Sequence, residues 1–375
     1  MLPSKTSSER SQLNLKKGIQ VIGLMSGTSL DGLDICAVDF AYDNKKWYYK
    51  VVCAESADYP AELKQQLAKA QQMSAFEYAY LDSEYGHFLG KRVKSFMRKY
   101  GLIPDFIASH GSTVFHQPEK HFTTQIGSGA AIAAETEVDT ICDFRTTDVA
   151  LGGQGAPLVP VGDRALFGDY DYCLNIGGFS NISWDGEDGV RHAYDISPVN
   201  YVLNRYMRAI GKEYDEDGKL AESGKCNENL LQQLNSLSYY SINGPKSLGR
   251  EWVEEEIFPM LDIFKDENGN PLSLPDKLST FCHHAAYQVS LNVKSGRVLV
   301  TGGGAFNKFL LKLMRQYTPQ AEYVLPDALT INFKEALIFA FLGALYVADM
   351  PNCMSSVTGA KFSCVGGAMY KGHRR

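Results

Sequence analysis

The chain has 375 residues, 45% of them hydrophobic, and 43 acidic against 37 basic side chains leave a net charge of −6. At roughly 150 residues per domain this predicts two or three domains, large enough to bury a core without a metal or disulfide staple. The mild acidity and the lack of a basic stripe argue against a nucleic-acid binder. The longest apolar stretch, Ala336–Ala348, has 13 residues, short of the about 20 that a membrane span needs. Residues 1–17 are polar, lack the apolar segment of a secretory signal and read as a loose tail.

The eight cysteines fall at irregular spacings without a C-x-x-C. In apolar contexts they read as small buried hydrophobes of a reducing, cytoplasmic compartment. His283 and His284 are adjacent, so on a helix they diverge by about 100° and make a poor chelating pair.

In chain order, Val21–Leu24 and Leu33–Phe40 predict a hairpin with a glycine-rich tip at Ser26-Gly27-Thr28-Ser29, and Trp47–Glu55 a third strand. Pro60–Gln72 and Ala75–Tyr100 read as helices, the second ended by Gly101. Phe106–Ser109 is a short strand running into His110-Gly111-Ser112-Thr113. A helix over Ala130–Glu135 and a strand over Val138–Cys142 follow. The glycine- and proline-rich run Gly152–Pro160 reads as a domain boundary. Beyond it the theme returns: strand Tyr172–Ile176, turn Gly177-Gly178, strand Asn181–Trp184. Asp195 then precedes a helix that Ser197 would cap and Pro198 would start. Helices over Pro275–Val293, Ala305–Gln316 and Lys334–Ala348 flank a strand over Arg297–Val300. The alternation of strands and helices in each half predicts an α/β class. The expected division is a tail over 1–17, a first domain over 18–150 to which 350–375 return, and a second over 151–349.

No P-loop, dinucleotide fingerprint, H-E-x-x-H or G-x-S-x-G motif is present. Three glycine turns remain, at Gly27 to Asp34, at Gly177-Gly178, and at Gly302-Gly303-Gly304. Each alone reads first as an ordinary tight turn. Three at strand ends in one chain suggest N–H-rich cradles for the phosphates of one nucleotide. Asp31 or Asp34 could hold magnesium, directly or through water. Asp195, placed before a helix start whose dipole favours a carboxylate, is the general-base candidate, with helix capping as the alternative. Glu335 in the first turn of its helix reads by itself as dipole complementation, and Arg145 is open to a surface ion pair.

The run Gly23-Leu24-Met25-Ser26-Gly27-Thr28-Ser29-Leu30-Asp31-Gly32-Leu33-Asp34 closely resembles the opening signature of the anhydro-N-acetylmuramic acid kinase family. Further matches follow in order: His110-Gly111-Ser112-Thr113-Val114, Gly152-Gly153-Gln154-Gly155-Ala156-Pro157-Leu158-Val159-Pro160, Asn175-Ile176-Gly177-Gly178 with Asn181, Gly302-Gly303-Gly304-Ala305 with Asn307, Glu335-Ala336, and Val357-Thr358-Gly359-Ala360. The resemblance spans Val21 to about Gly372. The family's D-T-G-P-G-N appears here as Asp195-Ile196-Ser197-Pro198-Val199-Asn200, and Asn332 stands near where the family often has an acid.

The resemblance implies an α/β, two-domain actin-like sugar-kinase fold with an interdomain cleft. It implies ATP and Mg2+ as cofactors. ATP phosphates would lie on Gly27, Thr28, Ser29, Leu30, Asp31, Gly32, Leu33 and Asp34, and on Gly177, Gly178 and Asn181. Gly302, Gly303 and Gly304 would form the adenosine loop. Asp195 would be the catalytic base, and His110, Thr113, Arg145, Asn200 and Glu335 would hold the sugar. The implied reaction opens 1,6-anhydro-N-acetylmuramic acid, recovered from cell-wall murein, with water and phosphorylates its O6. Expected partners are this sugar and ATP, with neither nucleic acid nor membrane, the chain acting as a monomer or a homodimer. A kinase for another amino sugar, or an ATP-driven binding module of the same superfold, are the alternatives.

Overall fold

In a computed structural model, described here for residues 15–27, 30, 32–242 and 244–373, the chain forms two compact units. One runs to Leu166 and resumes at Phe333; the other spans Phe167–Asn332.

The first unit is built on a six-stranded mixed sheet. β1 (Ile19–Ser26), β2 (Leu33–Asp43) and β3 (Lys46–Ala57) form an antiparallel meander. β4 (Phe106–Ser109) lies parallel to β1 on its other side, then β7 (Thr140–Cys142), and the C-terminal strand Ala368–Tyr370 closes the edge. A separate hairpin, β5 (Ser112–Gln117) with β6 (Phe122–Ile126), follows β4. β1 and β4 are almost wholly buried, as unbroken apolar strands covered on both faces should be. The helix Ala75–Tyr100 starts at a capping box of Ser74 with Glu77 and ends at Gly101 with φ 64°, as its sequence signals demand. It buries Leu81, Tyr85, Leu89, Val93 and Phe96 against Ile22, Leu24 and Ile107, each contributing about 1.5–3 kcal/mol of transfer free energy.

The helix Ala328–Val347 is long and apolar enough to cross a membrane, yet 72% of its most apolar window is buried inside the protein. It lies directly against β1. A Cβ at Gly23 would sit 2.0 Å from the Ala336 carbonyl and 2.9 Å from the Ala340 Cβ, so only glycine permits this approach. Beside it, Lys334 and Asp163 form a buried ion pair at 2.8 Å.

The second unit has a five-stranded sheet in the order β10-β9-β8-β11-β12: β8 (Tyr172–Ile176), β9 (Phe179–Asp185), β10 (Arg191–Pro198), β11 (Gly296–Thr301) and β12 (Ala321–Val324). β8, β11 and β12 are parallel; β9 runs antiparallel to β8, and β10 antiparallel to β9. Helices Leu274–Asn292 and Lys308–Tyr317 pack their apolar faces into one core with the sheet. His283 and His284 take different partners there, Tyr317 and the pair Asn235 and Tyr240.

Several expectations need correction. The first unit extends past the expected boundary at 150 to Leu166, because the Gly152–Pro160 run folds back onto Asp148 and the helix Val159–Leu166 that follows brings Gly162 against Ile338. The chain returns to the first unit at Phe333, not 350. The last long helix begins at Ala328, six residues before Lys334. Ser197 does not cap a helix. β10 continues through Asp195 to Pro198, paired with β9, and the next helix starts only at Asn200 without a side-chain cap. Ser197 is buried and bonded to Ser180 instead. The helix predicted from Ala305 begins at Lys308, capped by Asn307, after a tight turn over Gly303–Phe306.

Candidate functional site

Within the first unit, three chain segments gather the predicted residues. The tip between β1 and β2 holds Gly27, Leu30, Gly32, Leu33 and Asp34; Thr28, Ser29 and Asp31 lie outside the described residues. Leu30 takes φ 57° and its N–H donates to the Gly27 carbonyl at 3.2 Å, so the turn is tight. Its base is anchored by a buried hydroxyl chain, in which Tyr85 donates to Ser26 Oγ at 2.7 Å and lies 2.8 Å from Tyr59. Asp34 accepts from Ser56 at 2.6 Å.

The second segment follows β4. His110 Nδ1 lies 2.8 Å from the Gly111 carbonyl and must therefore donate, which leaves Nε2 as an acceptor. Arg145 fills that acceptor from two nitrogens, Nε at 3.1 Å and the Nη2 amino group at 2.9 Å, and its Nη1 donates to the Gly155 carbonyl at 2.6 Å. Burial, aided by the Arg145 charge, pushes the His110 imidazole down to about 3. His110 is thus a neutral acceptor at physiological pH. Both ring nitrogens are committed to the protein, Nδ1 to the Gly111 carbonyl and Nε2 to Arg145. Desolvation likewise lowers Arg145 to about 10, which leaves it charged at neutral pH. It is half-buried and held by neighbours, not a solvated surface cation. Thr113, three residues beyond His110 on β5, accepts from Gln125.

The third segment is the helix Ala328–Val347. Its Glu335 is accessible to solvent, yet crowding by protein raises its carboxyl above the usual range. Lys334 opposes that rise, Asp34 adds to it, and Arg145 opposes it. Glu335 therefore feels the charges of both Asp34 and Arg145.

The second unit arranges its residues in a row. Register pairs Thr301 of β11 with Asn175 of β8, Asn175 with Asn181 of β9, and Asn181 with Asp195 of β10. Four strands so present Thr301, Asn175, Asn181 and Asp195 side by side, next to the Gly177-Gly178 turn. That turn is held from behind by the N–H groups of Val199, Asn200 and Tyr201, which donate to the Gly178 and Gly177 carbonyls at 2.8–3.2 Å. The Asn200 side-chain amide also lies near Gly303, 3.7 Å from where a Cβ there would stand.

Neither Gly177 nor Gly178 needs to be glycine for the fold: a Cβ on either meets nothing closer than 3.6 Å, and neither has a positive φ. Gly303 is equally open, with its nearest atom at 3.7 Å. Its neighbours differ. A Cβ at Gly304 would fall 2.2 Å from the Ile176 side chain, and Gly302 has φ 81°. Glycines that the chain itself does not require are those expected where a ligand approaches the backbone.

Asp195 sits within β10, not at a helix start, so no helix dipole favours its charge. Burial raises its carboxyl above the ordinary value, opposed by the Leu248 N–H, which donates to Oδ2 at 2.9 Å. Two further groups, unmarked in the sequence, fix its backbone. Tyr239 donates to the Asp195 carbonyl at 2.7 Å, and Asp195 N–H donates to the Lys246 carbonyl at 3.1 Å. The Lys246 ammonium caps the Tyr239 ring at 4.7 Å. No local pattern around residues 239–248 signalled this support.

Burial raises the thiols of Cys36 and Cys142 to about 12, and raises Cys353 and Cys364 as well. Asp148, Cys353 and Cys364 stand close enough together to hold a metal ion, but both Asp148 oxygens already accept hydrogen bonds, from Thr358 and Gly155.

The sequence model of the anhydro-N-acetylmuramic acid kinase family matches residues 19–372. Proteins of that name are similar along nearly their whole length. One from Shewanella denitrificans is 34% identical, covering 93% of this chain and 97% of its own; one from Shewanella loihica is 35% identical (94% and 98%). One from Pseudomonas syringae pv. syringae is 33% identical (93% and 98%). Among solved structures, an activator of 2-hydroxyisocaproyl-CoA dehydratase from Clostridium difficile with bound ADPNP aligns at TM-score 0.41 and 15% identity, over 87% of this chain and 96% of that one. A Schistosoma mansoni hexokinase complexed with glucose aligns at TM-score 0.34 and 10% identity, over 86% and 84%.

Two α/β units, each led by a hairpin with a glycine turn, and a family match over almost the whole chain define an ATP-using sugar kinase. The chain belongs to the anhydro-N-acetylmuramic acid kinase family.

Proposed function

We propose that this kinase opens the 1,6-anhydro ring of 1,6-anhydro-N-acetylmuramic acid with water and transfers the γ-phosphoryl group of ATP to the freed O6. The products are N-acetylmuramic acid 6-phosphate and ADP. The observation that carries the reading is Asp195, raised by burial, held by the Leu248 N–H, and set in one row with the Gly177-Gly178 turn. A carboxylate tuned upward toward neutrality is the better base for water.

In this mechanism Asp195 takes a proton from the water attacking C1. The C1–O6 bond breaks and its electron pair stays on O6. O6 attacks the γ-phosphorus in line, ADP leaves, and one proton is released overall. The N–H groups of the Gly177-Gly178 turn would hold phosphate oxygens, and the open backbone at Gly303 would face the adenosine. Arg145, aimed by His110, would pair with the lactyl carboxylate, with Glu335 and Thr113 on other polar groups of the sugar. Asp31 or Asp34, whose hard oxygens suit magnesium, would hold the ion directly or through water; bound there, it would neutralise charge developing on the phosphates. The reading carries with it a cytoplasmic enzyme of cell-wall recycling, monomeric or homodimeric, with neither nucleic acid nor membrane as partner.

The test is product mass in an ADP-release assay. The expected product equals substrate plus one phosphoryl group plus one water. A phosphorylated product with the anhydro ring intact, or ADP release only with reducing amino sugars, would overturn the reading.

A further inference from the structure

The Gly152–Pro160 run is prominent in the sequence but holds none of the ligand contacts proposed above. Its physical content lies in Asp148, which is wholly buried. Asp148 Oδ2 accepts from the Gly155 N–H at 2.8 Å, Oδ1 accepts from the Thr358 hydroxyl at 2.7 Å, and its carbonyl accepts from the Gly153 N–H at 2.9 Å. The Gln154 N–H between them donates to the Thr358 carbonyl at 2.7 Å. Three successive loop residues are thus tied to two side-chain-bearing anchors.

The loop can wrap so closely only because of its glycines. A Cβ at Gly153 would fall 2.2 Å from the Asp148 carboxylate; Gly155 has φ 66°, and its Cβ would fall 2.6 Å from Val149. The wrapping fixes one outward-facing group, the Gly155 carbonyl, which accepts from Arg145 Nη1 at 2.6 Å. Asp148 and Arg145 also share one turn of chain, since the short helix Thr146–Ala150 begins at Arg145. The guanidinium is therefore oriented from two sides, by His110 and by the loop carbonyl.

We infer that Asp148 is a positioning residue: buried under the Gly152–Gly155 loop, it fixes the Gly155 carbonyl that aims Arg145 at the sugar's carboxylate. This rests on the proposed role of Arg145. Two features make Asp148 separable from general packing. Its action passes through hydrogen bonds to one N–H and one hydroxyl, and Thr358 has a second acceptor, the Met354 carbonyl at 3.2 Å. An asparagine can therefore accept from Gly155 while its amide donates to Thr358.

The experiment is a set of steady-state measurements on full-length Asp148→Ala, Asp148→Asn, Thr358→Val, Arg145→Ala and the Asp148→Ala/Arg145→Ala pair. Loss of aim should raise KM for the anhydro sugar roughly tenfold or more in Asp148→Ala, with KM for ATP and kcat little changed. Asp148→Asn should recover most of that loss. Asp148→Ala should add nothing in the Arg145→Ala background. Thr358→Val, the milder variant, should shift KM in the same direction and keeps the test alive if Asp148→Ala does not fold. A lowered melting temperature with an unchanged sugar KM in Asp148→Ala and Thr358→Val would overturn the inference. So would a full additional effect of Asp148→Ala in the Arg145→Ala background. An unchanged sugar KM in Arg145→Ala itself would instead remove the reading on which the inference rests.

Discussion

Arg145 and His110 form a pair in which the imidazole is the acceptor: Nε2 takes hydrogen bonds from two guanidinium nitrogens, while Nδ1 donates to the Gly111 carbonyl. A neutral histidine aiming a charged arginine is a stable arrangement because protonating the ring would cost both bonds and bring two cations together. The imidazole, lowered to about 3, stays neutral through the physiological range. The pair should therefore hold its geometry across any pH at which the enzyme is folded and active.

From this pair comes the first prediction. Arg145→Ala should raise KM for the anhydro sugar by one to two orders of magnitude, corresponding to about 1.5–3 kcal/mol for a hydrogen bond to a charged group. Arg145→Lys should recover little, because a single ammonium cannot bridge His110, Gly155 and a carboxylate together. Initial rates over a range of sugar concentration, with ATP saturating, decide it; a parental KM in Arg145→Ala would return the residue to a structural role.

Asp195→Asn should lower kcat by at least two orders of magnitude, the range of about 10²–10⁴-fold that general-base catalysis supplies. It keeps an oxygen to accept from Leu248, so substrate affinity should change far less. Stability should run the other way. Burial raises the folded carboxyl above its unfolded value, so its contribution favours the folded state below the unfolded pKa and is lost as pH rises through the folded one. At neutral pH the charged aspartate costs stability that asparagine does not, and the melting temperature of Asp195→Asn should equal or exceed the parent's. Turnover near the parental rate would remove Asp195 from the mechanism.

The same shift fixes the direction of the pH profile. As a base Asp195 must be unprotonated, so kcat should fall as pH drops through its raised pKa. The acid limb should lie above the pH range of an ordinary aspartate, near 3.9, and Asp195→Asn should abolish it. An acid limb that persists in the variant would assign it to another group.

Gly303→Val and Gly304→Val should separate ligand approach from folding. At Gly303 a Cβ has room, with nothing closer than 3.7 Å, so the variant should fold with near-parental stability and bind ATP weakly. At Gly304 the added atoms would run into Ile176 at 2.2 Å, and overpacking of this kind costs about 1–3 kcal/mol or more. Calorimetric ATP titration beside thermal melts of both variants reads the difference; parental ATP affinity in Gly303→Val would remove the adenosine loop from this turn.

Gly23→Ala tests the seat of the long apolar helix. The new methyl would meet the Ala336 carbonyl at 2.0 Å, which is backbone and cannot rotate away. The variant should lose about 1–3 kcal/mol of stability or more and shift Glu335, which follows Lys334 on the same helix. A parental melting temperature would mean that the helix moves freely against β1.

Much of this was legible in the chain itself. The helix Ala75–Tyr100 matches its predicted limits because Ser74, Glu77 and Gly101 are local signals acting within a few residues. The strands around Val21, Leu33, Tyr172 and Arg297 follow from apolar runs and turn glycines, and the motif runs carried the family. What the sequence left open was long-range. The strand Arg191–Pro198 reads locally as the approach to a helix, since Ser197 and Pro198 are good helix-start residues; pairing with β9 overrode that preference and placed Asp195 in a sheet. The Gly152–Pro160 run reads as a domain boundary, and only its closure over Asp148 and Thr358, 210 residues apart, made it part of the first unit. The supports of Asp195 at Tyr239, Lys246 and Leu248 left no trace in the spacing. Caps, turns and periodicity act over a few residues and are written in order along the chain. The environment of a buried carboxylate is set by groups brought together from distant positions, and only tertiary packing decides which ones arrive.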